Sequence, residues 1–226
     1  QESIAIYFCL YQYFELISDR QSNLKLSELV YQACQNYRAE AKTGSMGYEL
    51  VSVSDRLANC YLQAQNYQKA QETYQRNVEL LQNLTGVEAK VIQPALASTY
   101  HQLGRVAEEM REYEQARLYY QNALDIYVEF NDRYSQASTY AQLGLLAEEL
   151  GELPQAQADL LQALQIFAEY NDQHFVNQVM QNLARLYRTH PDPDLLTAIA
   201  EMFGITVEEA QAAIDSYQPS ESAEPE

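Results

Sequence analysis

Apolar residues recur every three or four positions along most of this chain, the spacing that gathers them on one face of an α-helix. Between Ala97 and Val176 the pattern also copies itself. Ala97-Ser-Thr-Tyr-His-Gln-Leu-Gly104 returns as Ala137-Ser-Thr-Tyr-Ala-Gln-Leu-Gly144, and Phe130-Asn-Asp132 returns as Tyr170-Asn-Asp172, an offset of 137 − 97 = 40 residues. Across that period 19 of the 40 paired positions are identical, more than shared amphipathicity alone produces. Self-similarity of this length marks a solenoid, in which each helical hairpin buries its apolar face on its neighbours.

The elements follow in order. Residues 3–18 and 24–42 read as two helices joined by the polar Asp19-Arg-Gln-Ser-Asn23, and Thr43-Gly-Ser-Met-Gly47 is the first clear break. From Tyr48 helical pairs begin: Leu57, Ala58, Tyr61, Ala70 and Tyr74 hold the places that Leu103, Gly104, Ala107, Ala116 and Tyr120 hold later. The offset here is 116 − 70 = 46, so the linker at Thr85-Gly-Val-Glu-Ala-Lys90 carries about six extra residues, an inexpensive insertion because closure entropy grows logarithmically. The next pair spans 93–110, with Pro94 in its first turn, and 113–130. Asn131 suits a left-handed turn and Asp132 a helix N-cap. In the following unit Gly151 ends the first helix and Pro154 begins the second, and 174–188 starts a fourth unit with Leu183, Ala184 and Tyr187. Past His190 the pattern changes. Asp192 caps a helix from Pro193 to Phe203 that stops at Gly204, and Thr206-Val-Glu-Glu209 is a capping box for a last helix over 207–217, with Ile205 stapled opposite Ala210. Leu195, Leu196, Ile199, Phe203, Ile205, Val207, Ala210 and Ile214 give this pair an apolar face to close the stack. The organisation expected is thus an N-terminal helical pair over 1–47, repeats over 48–189, capping helices over 190–217 and a disordered acidic tail over 218–226.

Composition agrees with an all-α fold: in 226 residues there are 7 Gly and 6 Pro, too few for strands bounded by turn clusters. The formal charge of 14 − 32 = −18 repels phosphate backbones and anionic headgroups, which argues against nucleic acid and membrane surfaces as partners and favours a neutral or basic protein segment. Acidity that only keeps the chain in solution is the plainer alternative. Cys9, Cys34 and Cys60 are odd in number and widely spaced, and read as buried reduced thiols of a cytoplasmic protein rather than disulfide or metal ligands. The sequence opens on Gln, and the segment 4–17 is apolar around most of a helix circumference through Ile4, Ile6, Tyr7, Phe8, Leu10, Tyr11, Tyr13, Phe14 and Ile17. Such a helix is expected to pack on upstream sequence or on a second copy, since a terminal cap needs a polar outer face.

The spacing Tyr100, Leu103, Gly104, Ala107, Ala116, Tyr120, Ala123 and its copy Tyr140, Leu143, Gly144, Ala147, Ala156, Leu160, Ala163 resembles the tetratricopeptide repeat. Small residues at 104, 107, 116 and 123 let adjacent helices approach closely. The period of 40 rather than 34 residues resembles the long-repeat branch of kinesin light chains and of the sensor arrays of bacterial signalling ATPases. The resemblance covers 49–188, is weak over 1–48 and absent from 190–226. It implies a right-handed α-solenoid of antiparallel helical hairpins whose first helices line a concave face. Carried over unit by unit, the residues of that face are Asp55, Asn59 and Gln63; His101, Gln102, Arg105 and Glu109; Gln142, Leu145 and Glu149; and Gln178, Asn182 and Arg185. Solvated polar positions are the plain alternative for each. Family members that hold a peptide's terminal carboxylate use Lys, Asn and Arg there, whereas the matching positions here are Asp55, Asn59, Gln102, Ser138 and Gln142, so an acidic C-terminus is a poor fit.

Catalytic chemistry is not indicated. Glu108-Glu109 and Glu148-Glu149 are adjacent helical residues pointing about 100° apart, and they recur at one repeat position. His101, His174 and His190 lie in different elements without ligand-type neighbours, and no phosphate loop or nucleophile elbow occurs, so no cofactor or metal is expected. Of 19 tyrosines, Tyr61, Tyr74, Tyr100, Tyr120 and Tyr140 fall on core positions, while Tyr113, Tyr119, Tyr127 and Tyr134 are less fixed by the template; core or rim packing is the plainer reading for them, and contact with a partner the alternative. The expected function is protein or peptide binding by a regulatory or sensor module; the alternative is a structural module that assembles copies through 4–17.

Overall fold

The computed structural model describes residues 20–35 and 44–217, and among them no strand occurs. The helices are α1 (Arg20–Gln35), α2 (Gly44–Gln63), α3 (Tyr67–Asn83), α4 (Ala89–Glu109), α5 (Tyr113–Glu129), α6 (Arg133–Glu149), α7 (Leu153–Glu169), α8 (Gln173–Thr189), α9 (Pro193–Phe203) and α10 (Val207–Ser216). They fall into two compact units, Gln1–Phe130 and Asn131–Glu226. The apolar segment 4–17, Cys9, the Cys34 side chain and the tail 218–226 lie outside the described residues, so the readings placed on them are not addressed.

In the first unit α2 pairs with α3 and α4 with α5, while α1 packs on α2 and α3 on α4. Leu57, Ala58, Tyr61, Ala70, Tyr74, Leu103, Ala107, Ala116, Tyr120 and Ala123 are all buried, as the copied spacing requires. Gly104 shows why smallness matters: a Cβ there would lie 2.5–2.8 Å from the ring of Tyr120. The phenol hydroxyl of Tyr120 donates to Glu108 and the His101 ring meets its edge at 5.3 Å. The glycine therefore trades helix propensity for a seat under an aromatic ring.

The second unit pairs α6 with α7 and stacks α8 on α7. Gly144 plays the part of Gly104, with Leu160 2.8 Å from its missing Cβ. The cap forms as its local signals indicate. Asp192 accepts from the Asp194 amide, Gly204 takes the left-handed conformation, and Thr206 and Glu209 make both capping-box bonds. Leu195, Leu196, Ile199, Ala200, Ala210 and Ile214 join one core with Leu183, Ala184 and Leu186. Phe203, Ile205 and Val207 stay exposed, so the apolar face of the cap is narrower than its sequence indicates.

Other boundaries also differ. The helix expected from 24 is already formed at Arg20, so residues 20–23 are helical rather than a linker, and Asn23 and Ser27 are a polar row facing inward. Gly44 opens α2 with φ +58° and donates its N–H to Thr85 O at 2.8 Å, so the helix starts within the expected break and Gly47 is buried inside it. The helix expected from 93 begins at Ala89, which moves Pro94 from the first turn to the interior, where its missing N–H removes one helical bond. Of the four tyrosines less fixed by the template, Tyr127 is buried and Tyr134 packs edge-on to Phe167, Tyr170 and Phe175 while donating to Asp172, in line with the packing reading.

Candidate functional site

The thirteen residues assigned to the concave face are half-buried or exposed. On α2 the residues Asp55, Asn59 and Gln63 are four apart and share a stripe, and α3 fixes two of them from the other side. Tyr74 donates its hydroxyl to Asn59 Oδ1 at 2.9 Å, and Asn77 donates Nδ2 to Asp55 Oδ1 at 2.7 Å. Tyr74 and Asn77 are one turn apart on α3, so the antiparallel hairpin carries a two-rung polar ladder. With its oxygen held by Tyr74, Asn59 keeps its amide N–H groups for other acceptors.

Four of the thirteen converge. Asn59, Gln63, Arg105 and Glu109, with Leu62, Gln65 and Tyr67, line an open recess of about 290 Å³ in the first unit. Arg105 is exposed and donates to Gln102 Oε1 at 3.1 Å, and Glu109 accepts from the Tyr67 hydroxyl at 3.0 Å. The recess therefore presents a guanidinium, a carboxylate and three side-chain amides. Leu62, Gln65 and Tyr67 were absent from the sequence reading. Tyr67 had a signal, since the first residue of each second helix is large: Tyr67, Tyr113, Leu153.

A second recess of about 410 Å³, apolar through Leu81, Leu84, Val87, Ile92 and Leu96, lies beside the longer linker of the same unit. In the second unit Gln142, Leu145 and Asn182 are half-buried and Glu149, Gln178 and Arg185 exposed. Arg185 binds Glu148 at 2.7 Å, joining α8 to α6. The adjacent carboxylates diverge as their helical positions dictate: Glu108 accepts from Tyr120 and Glu109 from Tyr67, and Glu148 pairs with Arg185. Among the described residues no group of His, Cys, Asp and Glu is arranged to hold a metal ion, and no helix is long and apolar enough to cross a membrane. Cys60 is buried, with Sγ 3.8 Å from Ser27 Oγ.

Burial pushes the Asp55 carboxyl up to about 7, against the lowering effect of the Asn77 bond. Burial, aided by the Arg105 cation, pulls the His101 imidazole down to about 4. An acid whose folded value lies above its unfolded 3.8 stabilises the fold fully below that pH and loses this contribution as pH rises through about 7. Asp55→Asn abolishes the loss, so its melting temperature relative to the native chain is expected to rise steadily from pH 4 to pH 8. A pH-independent difference would show that Asp55 is well hydrated. His101 acts in the opposite sense, its contribution fading as pH falls from 6.5 to about 4, but it is common to both proteins and cancels.

Comparison with known proteins comes to the same architecture. A profile of the tetratricopeptide repeat matches residues 50–129 and 95–169. No curated protein matches the sequence. Among solved structures, BtubC (BKLC) from P. vanneervenii is 20% identical, with 100% of this chain and 85% of that one covered and a TM-score of 0.69. TPR-like repeats described as those of a Podosopora anserina kinesin light chain are 16% identical, covering 96% of this chain and 95% of that chain with a TM-score of 0.67. The Rap conjugation gene regulator of the plasmid pLS20, solved in complex with the Phr* peptide, is 14% identical, covering 95% and 66% with a TM-score of 0.56. At these identities the likeness is one of fold, an α-solenoid of helical hairpins.

Proposed function

The chain belongs to the tetratricopeptide repeat family, and from that premise we propose that it is a non-enzymatic module that binds a protein or peptide segment on the first-helix face of its repeats. The observation that carries this reading is the convergence of Asn59, Gln63, Arg105 and Glu109 on one open recess, together with the amide groups of Asn59 left unspent by Tyr74. Amide and charged groups held by a rigid helical pair can fix the backbone of an extended segment at little entropic cost to the receptor. The Rap regulator that was solved with the Phr* peptide offers a precedent for a fold of this kind receiving a peptide. The partner favoured here is neutral to basic, in keeping with a chain of net charge −18. In a longer regulatory protein such a module would report the presence of its partner to an effector domain.

Selection of short random peptides on the immobilised chain tests this. The native protein is expected to enrich a recognisable consensus, and Arg105→Glu with Asn59→Ala to weaken a winning peptide by about 10-fold or more, as the loss of charge-assisted and amide bonds implies. Enrichment no better than on a bare support, or equal binding by the double variant, would overturn the assignment.

A further inference from the structure

Among the described residues Asp55 has no cation paired with it. It sits half-buried on the α2 face, and among the described residues its hydrogen-bond partner is the Asn77 amide, with no salt bridge to either oxygen. Asn77 itself is 0% exposed, and although its Nδ2 is bonded to Asp55, its Oδ1 has no hydrogen-bond partner. A buried amide oxygen left unpaired costs about 1–3 kcal/mol. The two ends of an amide are one group's width apart, so the orphaned oxygen lies close to the carboxylate it neighbours.

The repeat itself has no need of this pair. At the offsets 46 and 40, Asp55 becomes His101 and then Ala141, and Asn77 becomes Ala123 and then Ala163. Ala123 and Ala163 are fully buried, so a methyl group fills the site that Asn77 occupies in the first hairpin. Packing is satisfied by alanine, and the polar pair is an addition that leaves Asn77 Oδ1 unfilled.

We propose that Asp55, oriented by Asn77, forms a subsite for a cationic side chain, Lys or Arg, of the bound segment, the cation donating to the carboxylate. The proposal rests on the peptide-binding reading above and names the chemistry that reading lacks. Asp55 and Asn59 are one turn apart, so a segment fixed by the amide of Asn59 brings a neighbouring side chain to Asp55. The desolvation that raises the Asp55 carboxyl to about 7 is what a bound cation relieves, and a cation there restores the ionised form. A chain this acidic draws basic segments at long range, and this pair would set which of their residues is held.

The test uses the full chain and the peptides selected on it. Winning sequences are expected to share a Lys or Arg, and its replacement by norleucine to weaken binding on the order of 10- to 100-fold to the native chain but to have little effect on Asp55→Asn, measured by calorimetry. Asn77→Ala should show part of the same loss, and circular dichroism establishes that each variant is folded. Carboxyl carbon NMR should show Asp55 titrating near 7 alone and well below that with peptide bound. Peptides that bind natively yet tolerate norleucine, or lose equally on Asp55→Asn, overturn the subsite and leave the binding reading intact. Failure of the native chain to select any peptide overturns both. An Asp55 that already titrates low without peptide would mean that its charge is balanced within the chain, and would also overturn the proposal.

Discussion

Replacing Tyr120 with alanine is expected to destabilise the first unit by about 3–5 kcal/mol, the range for removing a fully buried aromatic ring. Three contacts depend on that ring: it lies over Gly104 too closely for any Cβ, it meets the edge of His101, and its hydroxyl donates to Glu108. The backbone of α4 cannot collapse into the space, because it is fixed by its own hydrogen bonds and by α3 on its other side. Tyr120→Leu is the informative companion. Leucine is what the copied position carries at 160, over Gly144, where it fits. It should recover more than half of the loss while still forfeiting the hydroxyl bond. Urea unfolding followed by circular dichroism reads both, and a loss below about 1 kcal/mol for alanine would show that the hairpin is not close-packed there.

A comparable effect is expected at the other end of the chain. Leu195→Asp places a carboxylate at a position that is 0% exposed, in the core where α9 and α10 join Leu183, Ala184 and Leu186. A buried charge without a partner costs about 3–5 kcal/mol. Helices of 11 and 10 residues have little stability of their own, so they are expected to detach as a pair rather than adjust. Limited proteolysis should then cut near His190-Pro-Asp-Pro-Asp194, and the exposed core of α8 should promote association. Phe203→Asp is the control: the same chemistry at a residue that is 42% exposed should change stability by less than about 0.5 kcal/mol. Similar behaviour of the two variants would mean that the pair does not close the core.

What the sequence made legible was whatever is written locally or twice. Asp192 with Pro193 and Thr206 with Glu209 are signals contained within four residues, and each forms as expected. Asn131-Asp132 and Asn171-Asp172 likewise declare a left-handed residue followed by a cap. The copied core positions were legible because two versions of one hairpin constrain each other. Gln65 and Arg111 were not: they take φ +58° and +59° although neither residue favours that region, because the hairpin on each side dictates the turn. Nor did polarity betray that Asn23 and Ser27 face inward. At the candidate site, helical spacing groups Asn59 with Gln63 and Arg105 with Glu109, but the recess they line also needs Tyr67 from a third helix. The Asp55–Asn77 pair was hidden for a different reason. It joins two helices at positions where the later units differ, and a template built from the copies averages such a pair away.

The recurring Asn-Asp turn has a consequence for how such a chain changes length. Phe130 and Tyr170 are followed by the same two residues with the same backbone, φ +55° at Asn131 and at Asn171, and each Asp caps the next helix through its side chain. Unequal recombination between the two coding stretches would therefore join one junction to its duplicate without a new turn having to be invented, adding or deleting a whole cassette in frame. The longer 84–88 linker has no duplicate, so the first hairpin, with its unusual polar pair, is the part that such exchange would leave in place.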